Sequence, residues 1–323
     1  MSRIDQRTEG APGGYRRGRA AALGLFALTV WLGPFAGAEG GLDPAAGGAV
    51  LAVWQARAVD GAPASLGAGA FDAETLEAVG PRVDLPGQQV VGQVAIDPAG
   101  SLAAILTRDY VGTDEPYLTF VRVDRMKRIY PVARPWSRGE YPVAVAIAGG
   151  GSSGDPLVVL LTRNAHTSGG RVIAFHARAT EEGFECRIFS EGTIEGWPEG
   201  MDFDPARRAV YVVGRATAGE RQGTRAGLIL GRAETHTTTI GAETGYELDR
   251  RAVCLTADGG RLALLTSAYD RRGGTGRTVS RVRLFDAGSL GSIGDAIEVP
   301  GSASLLSPPL RAADGDVWAL TYS

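Results

Sequence analysis

A hairpin that recurs at a near-constant interval constrains this chain more than any other feature. Residues 198–215 read as two short strands, 201–203 and 209–213, joined by a turn at Asp204-Pro205-Ala206-Arg207. Proline presets φ at the second turn position, and an Asp before it can accept a bond from the backbone two residues on. The unit recurs at 94–108, more loosely at 143–163, and at 253–267. Eleven residues separate Asp97 from Arg108, and eleven separate Asp204 from Arg215. The second strands end at Arg57, Arg108, Arg163, Arg215, Ser267 and Tyr322, with separations of 51, 55, 52, 52 and 55 residues. Four of these ends read Leu-Thr-x: 106–108, 161–163, 265–267 and 320–322.

A second echo lies further along the unit. Residues 71–80 and 285–294 share Phe, Asp, Ala, Leu and Gly at matching places. Helical repeats of this length would show an apolar period of 3.6, whereas these segments are short, β-branched and alternating. Roughly 50 residues and four strands per unit is the range of β-propeller blades. The expected fold is therefore all-β: a propeller of four-stranded antiparallel blades, with six repeats visible and the last incomplete. Either N-terminal residues complete that last blade, or the sequence is a fragment of a longer, seven-bladed ring; the reading inclines to the fragment.

The opening segment is set apart from the repeats. Residues 1–19 carry five Arg against Asp5 and Glu9, an apolar run follows from Ala20 to about Phe35, and Ala36-Gly37-Ala38 has the small-x-small form of a cleavage site. That is the make-up of a secretory signal, residues 1–38, ahead of a propeller domain, 39–323. A single membrane anchor is the alternative, but Pro34 interrupts a run already short for a span. The expected location is periplasmic or extracellular, with no membrane span after cleavage. Arg16-Arg17 raises a twin-arginine route.

A net charge of −3, with Lys127 as the one lysine and no basic block, argues against a nucleic-acid partner. Cys186 and Cys254 fall in an outer and an inner strand two units apart, too far for a disulfide. Neither belongs to a Cys/His cluster, so no metal and no cofactor is expected.

Units of the form Pro-x-Gly-Met-x-Phe-Asp-Pro-(x)3-Ala-Val-Tyr-Val-Val at 198–213, with Phe-Asp-Ala-x-Ser-Leu at 285–290 and a return through Val299-Pro300-Gly301, resemble YVTN-type propeller repeats. Similar repeats occur in the lactonase-like and WD-repeat neighbourhood. The resemblance spans nearly all of 47–323 and implies a ring of blades around a channel. It implies no reaction, because such folds host enzymes, redox partners and binding modules alike.

The loops after the second strands, 108–116, 163–170, 215–225 and 267–277, are polar and gather at one mouth of such a ring. Arg57, Arg108, Arg163 and Arg215 open this loop in the first four units, and Asp109, Asn164, His166 and Tyr269 lie in the loops beside them. Arginine binds carboxylate and phosphate bidentately, so the mouth is a candidate site for an anionic small molecule, a glycan or an acidic protein loop. The plainer expectation is that each Arg pairs with a neighbouring acid such as Asp109 or Glu220, or caps a carbonyl. Trp136, Tyr141, Trp197 and Tyr246 sit on the returns between units, where aromatics stack on ligands or, more often, close unit-to-unit packing. His166 is the only histidine placed for chemistry, and no nucleophile elbow, His-Glu-x-x-His helix or phosphate loop is present. The chain is thus expected to be a monomeric, exported, non-catalytic binding module. The alternatives are a lactonase-like hydrolase and the propeller subunit of a periplasmic redox complex.

Overall fold

The computed structural model describes the backbone of residues 26–32 and 49–56 and of most of 65–322. Loops 110–114, 149–154, 217–226, 233–235, 241–245, 271–276, 304–309 and 312–316 and a few shorter gaps are excepted. Side chains are described within 50–55, 65–148, 155–214, 259–266 and 279–299, with the same gaps. Every regular element among them is a strand. No helix there is long and apolar enough to cross a membrane.

The strands form sheets in chain order, each a four-stranded antiparallel meander. Sheet 1 contains β1 (Phe26–Leu32), β2 (Ala49–Ala56), β3 (Ser65–Asp72) and β4 (Val83–Leu85). In sheet 2 the first strand is split into β5 (Gln89–Val90) and β6 (Ala95–Ile96), both paired with β7 (Leu102–Arg108), which is followed by β8 (Pro116–Arg122) and β9 (Lys127–Ile129). The split falls at Gly92, whose φ is 65° and whose backbone lies so close to Val143 that a Cβ would sit 2.4 Å from its carbonyl oxygen. Only glycine tolerates both demands. Sheet 3 is β10 (Glu140–Ala148), β11 (Leu157–Asn164), β12 (Gly170–Ala179) and β13 (Phe184–Ile194). Sheet 4 is β14 (Trp197–Asp204), β15 (Ala209–Ala216), β16 (Gly227–Arg232) and β17 (His236–Ile240). Sheet 5 is β18 (Tyr246–Leu255), β19 (Arg261–Asp270), β20 (Arg277–Asp286) and β21 (Ser292–Pro300). Beyond it, β22 (Ser302–Ala303) pairs with β25 (Thr321–Tyr322) and β23 (Leu310–Arg311) with β24 (Val317–Trp318), two separate two-stranded sheets.

The repeated hairpins stand where the sequence puts them, with longer strands. Residues 201–203 lie inside Trp197–Asp204, and 267–270 continue β19 instead of starting a loop. Two differences matter more. The first strand of the first unit is poorly marked in the sequence; the structure supplies Phe26–Leu32, paired residue for residue with Ala49–Gln55 and lying inside the run read as a leader. The apolar core of a leader and a buried strand have one composition, so periodicity alone does not separate them. The other is that the first strand of sheet 2 is broken in two.

The second strands of sheets 2, 3 and 4 are apolar without alternation because both of their faces are covered. Alternate residues go to different cores. Ile105 joins Leu51 and Val53 between sheets 1 and 2, whereas Ala104 and Leu106 join Val158 and Leu160 between sheets 2 and 3. Val159 and Leu161 then meet Val210 and Val212, and Tyr211 and Val213 meet Leu262 and Leu264. A simple rule holds at all four junctions. Counted back from the strand-end position (57, 108, 163, 215, 267), the fourth residue faces the following sheet and the third and fifth face the preceding one. Each fully buried Leu, Ile or Val stabilises by roughly 1.5–3 kcal/mol, so these cores are the main cohesive term.

The turns repeat as well. Asp72 Oδ1 accepts the Thr75 amide at 2.7 Å, and Asp286 Oδ1 accepts the Ser289 amide at 2.7 Å. Leu76 and Leu290 each follow with φ of 57°. These backbone bonds hold both carboxyls below the usual range. In the 204–207 turn, Asp204 Oδ1 accepts the Arg207 amide, and the Arg207 guanidinium donates onward to the Gly259 carbonyl of sheet 5.

Candidate functional site: an arginine–aromatic rim

The ends of the second strands and the starts of the first strands lie at one end of the sheets. Tyr141 is the register partner of Arg163 across β10 and β11, and Trp197 that of Arg215 across β14 and β15. Between sheets the same residue types stack. The Arg108 guanidinium carbon lies 4.4 Å from the Tyr141 ring centre, and that of Arg163 lies 5.3 Å from the Trp197 ring centre. The order across sheets 2 to 4 is therefore Arg108, Tyr141, Arg163, Trp197, Arg215: each described rim arginine rests on the aromatic that opens the next sheet. Such cation–π stacks contribute roughly 0.5–2 kcal/mol each.

The local backbone explains the placement. Tyr141-Pro142 and Trp197-Pro198 open their strands, and the register slips just after each proline, between Pro142 and Ala144 and between Pro198 and Gly200. Proline suits the start of a strand, where its missing donor is not called for, and a bulge re-aims the residues around it.

A polar clamp fixes the same end of sheet 3. Arg171 donates to both Glu140 oxygens at 2.6 Å, to Glu191 at 2.7 Å and to Ser137 Oγ at 3.3 Å. Glu140 Oε2 also accepts the Ser137 amide at 2.9 Å. Burial pushes the Glu140 carboxyl up, but the Arg171 bonds and the Ser137 amide outweigh it and hold it below its ordinary value. The paired Glu140 in turn raises Arg171. A carboxylate so committed is a brace for the 132–140 connection rather than a general base. Trp136 of that connection is buried in the core between sheets 2 and 3.

The sequence candidates fare as follows. Arg108 and Arg163 share the rim and stack on aromatics, a partnership the sequence reading does not assign to them. Asp109 closes its loop, its amide donating to the Glu115 carbonyl at 3.1 Å. Asn164 Oδ1 accepts the His166 and Thr167 amides at 2.8 and 3.1 Å, a local turn. His166 is exposed, with its ring over Gly139, where a Cβ would sit 3.8 Å from Cδ2. Arg57 and the side chains of Arg215 and Tyr269 lie outside the described residues. Tyr141, Trp136 and Trp197 close sheet-to-sheet packing, as the plainer expectation has it. Arg171 was missed altogether; its signal is its place opposite Thr162, next to Arg163 in register. Among the described residues no group of His, Cys, Asp and Glu could hold a metal ion. Cys186 is free, and burial, with Glu185 nearby, pushes its thiol up to about 12.

No protein-family model matches the chain, and no curated protein matches it. Among solved structures it is similar to a putative TolB from Agrobacterium tumefaciens, at 15% identity and a TM-score of 0.47 over 80% of this chain and 85% of that one. It is similar to the Dos1 propeller at 10% identity and a TM-score of 0.41, over 74% of this chain and 68% of that one. An α-L-arabinofuranosidase from Clostridium thermocellum aligns at 8% identity and 0.39, over 78% of this chain and 90% of that one.

Proposed function

We propose that the chain is a binding module on a propeller of four-stranded blades, and that its rim takes an acidic protein segment along the arginine–aromatic row. One observation carries the reading: the same stack occurs twice in succession, Arg108 on Tyr141 and Arg163 on Trp197. A guanidinium lying on a ring keeps its N–H donors in the perpendicular direction, along its own plane, where carboxylates dock edge-on. Stacking and carboxylate recognition therefore use different parts of the group. Side chains ordered beforehand also lower the entropic cost of association. Binding is favoured over catalysis because Glu140, the rim carboxylate with a displaced protonation equilibrium, is engaged by Arg171.

Kinship with YVTN-type repeat proteins and export complete the reading, supported by the repeats and by the Arg-rich opening before Ala36-Gly37-Ala38. The binding claim is tested with poly-L-glutamate, titrated against the full chain by calorimetry at low ionic strength. Wild type is expected to bind, and Arg108→Glu with Arg163→Glu to weaken binding at least about ten-fold while circular dichroism stays the same. Equal affinity in the double variant, or no binding by wild type, overturns it.

A further inference from the structure

In a chain whose net charge is −3, the segment 125–139 carries Arg125, Lys127, Arg128, Arg134 and Arg138 and no acid. All five cations are exposed. Among them stand Tyr130 and Val132, 39% and 59% exposed. The segment runs along the outer side of the molecule, from the last strand of sheet 2 to the first of sheet 3, and it is held there. The Phe184 amide donates to the Tyr130 carbonyl at 3.1 Å and the Val132 amide to the Phe184 carbonyl at 2.6 Å, so 130–132 lies parallel to the start of β13. Arg128 donates to the Asp84 carbonyl at 2.8 Å and rests 5.5 Å from the Tyr130 ring centre. Exposed Ile188 adds a third apolar side chain, because it shares a face of β13 with Phe184 and Cys186, which pack toward sheet 2. Phe189, past the register slip, lies against His176 instead.

We infer that this outer surface docks on an anionic lipid bilayer, with Tyr130, Val132 and Ile188 entering the headgroup layer and the cations meeting lipid phosphates. Arg134 is paired with Glu115, and Arg125 lies 3.6 Å from Asp124. Lys127, Arg128 and Arg138 have no acid partner among the described residues, and Glu185 and Arg187 on β13 offset each other. Cations and apolar tips alternate along one segment, so an occupant must offer negative charge and apolar depth side by side. A bilayer interface does so everywhere, whereas a folded acidic protein does so only at matched places. Tyrosine suits that boundary, with an apolar ring and a polar tip, and arginine and lysine keep their heads in water while their stems lie along apolar surface. The inference uses none of the rim arginines and is independent of the ligand reading.

The test sediments the full chain with vesicles of phosphatidylcholine, alone or with about a third phosphatidylglycerol, at low and at high salt. Wild type is expected to bind the anionic vesicles and to be released by salt. Lys127→Glu with Arg128→Glu should lower partitioning at least about ten-fold. Tyr130→Ser with Val132→Ser, at exposed positions, should lower it several-fold with unchanged circular dichroism. No binding by wild type, equal binding to neutral vesicles, or equal binding by both patch variants overturns the inference. So does binding that is lost in Arg108→Glu with Arg163→Glu and kept in the patch variants. Poly-L-glutamate binding that is weakened by Lys127→Glu with Arg128→Glu, in a protein that ignores vesicles, assigns the surface to an acidic polypeptide and also overturns it.

Discussion

β11 and β13 belong to one sheet and live in different solvents. Val158, Val159, Leu160 and Leu161 are at most 1% exposed, whereas Ile188 and Phe189 on the outer strand are 42% and 56% exposed. The second strand has a neighbouring sheet on each face. The fourth has none over most of its length, and its free edge carries Glu185, Arg187 and Glu191, charges that discourage pairing with another chain. Hydrophobicity is therefore a guide to radial position here: an apolar run means an inner strand wedged between sheets, and a mixed run means an outer one.

The largest expected effect attacks the inner strand. Val212, 1% exposed on β15, faces the core between sheets 3 and 4. Val212→Asp strands a carboxylate there, at a cost of more than about 4 kcal/mol, and is expected to unfold the protein. A soluble variant with wild-type circular dichroism would break the contrast between inner and outer strands.

The rim clamp comes next. Arg171→Met leaves Glu140 largely buried and unpaired, a loss of about 2–3 kcal/mol in urea denaturation at pH 7. The Glu140 carboxyl is lower in the folded protein than its ordinary 4.5. Its stabilising contribution is thus complete above that value and is lost as pH falls through the lower folded one. The gap between variant and wild type should narrow as pH falls through that lowered value; a gap that persists at acid pH assigns the loss to packing rather than charge. Smallest of all, Ile188→Ser and Phe189→Ser on the outer strand should change stability by no more than about 0.5 kcal/mol each. A loss well above that, read by the same denaturation, would mean that β13 is covered.

The periodicity carried the hairpins because their turn chemistry is local: Asp204 and Asp72 bond amides two or three residues away, and local bonds leave a sequence mark. The rim pairs were half legible. Arg108 and Arg163 stand out by position and Tyr141 and Trp197 by type, but the stack joins residues 33 and 34 apart through sheet packing. An aromatic followed by proline at that distance was the available hint. Gly92 was not legible, since only the approach of Val143 from the next sheet demands it. Phe26–Leu32 is ambiguous by sequence, because an apolar stretch behind arginines satisfies two descriptions at once. Leu76 is 68% exposed and the matching Leu290 2%, a contrast beyond any local reading, for it depends on which neighbour a sheet has.

The pairwise cores bear on how such a chain comes into being. Each one joins segments that lie about one unit apart, so a polypeptide leaving the ribosome can seal one layer as soon as the next emerges. As each layer is sealed, the greasy side of the one before it is withdrawn from water.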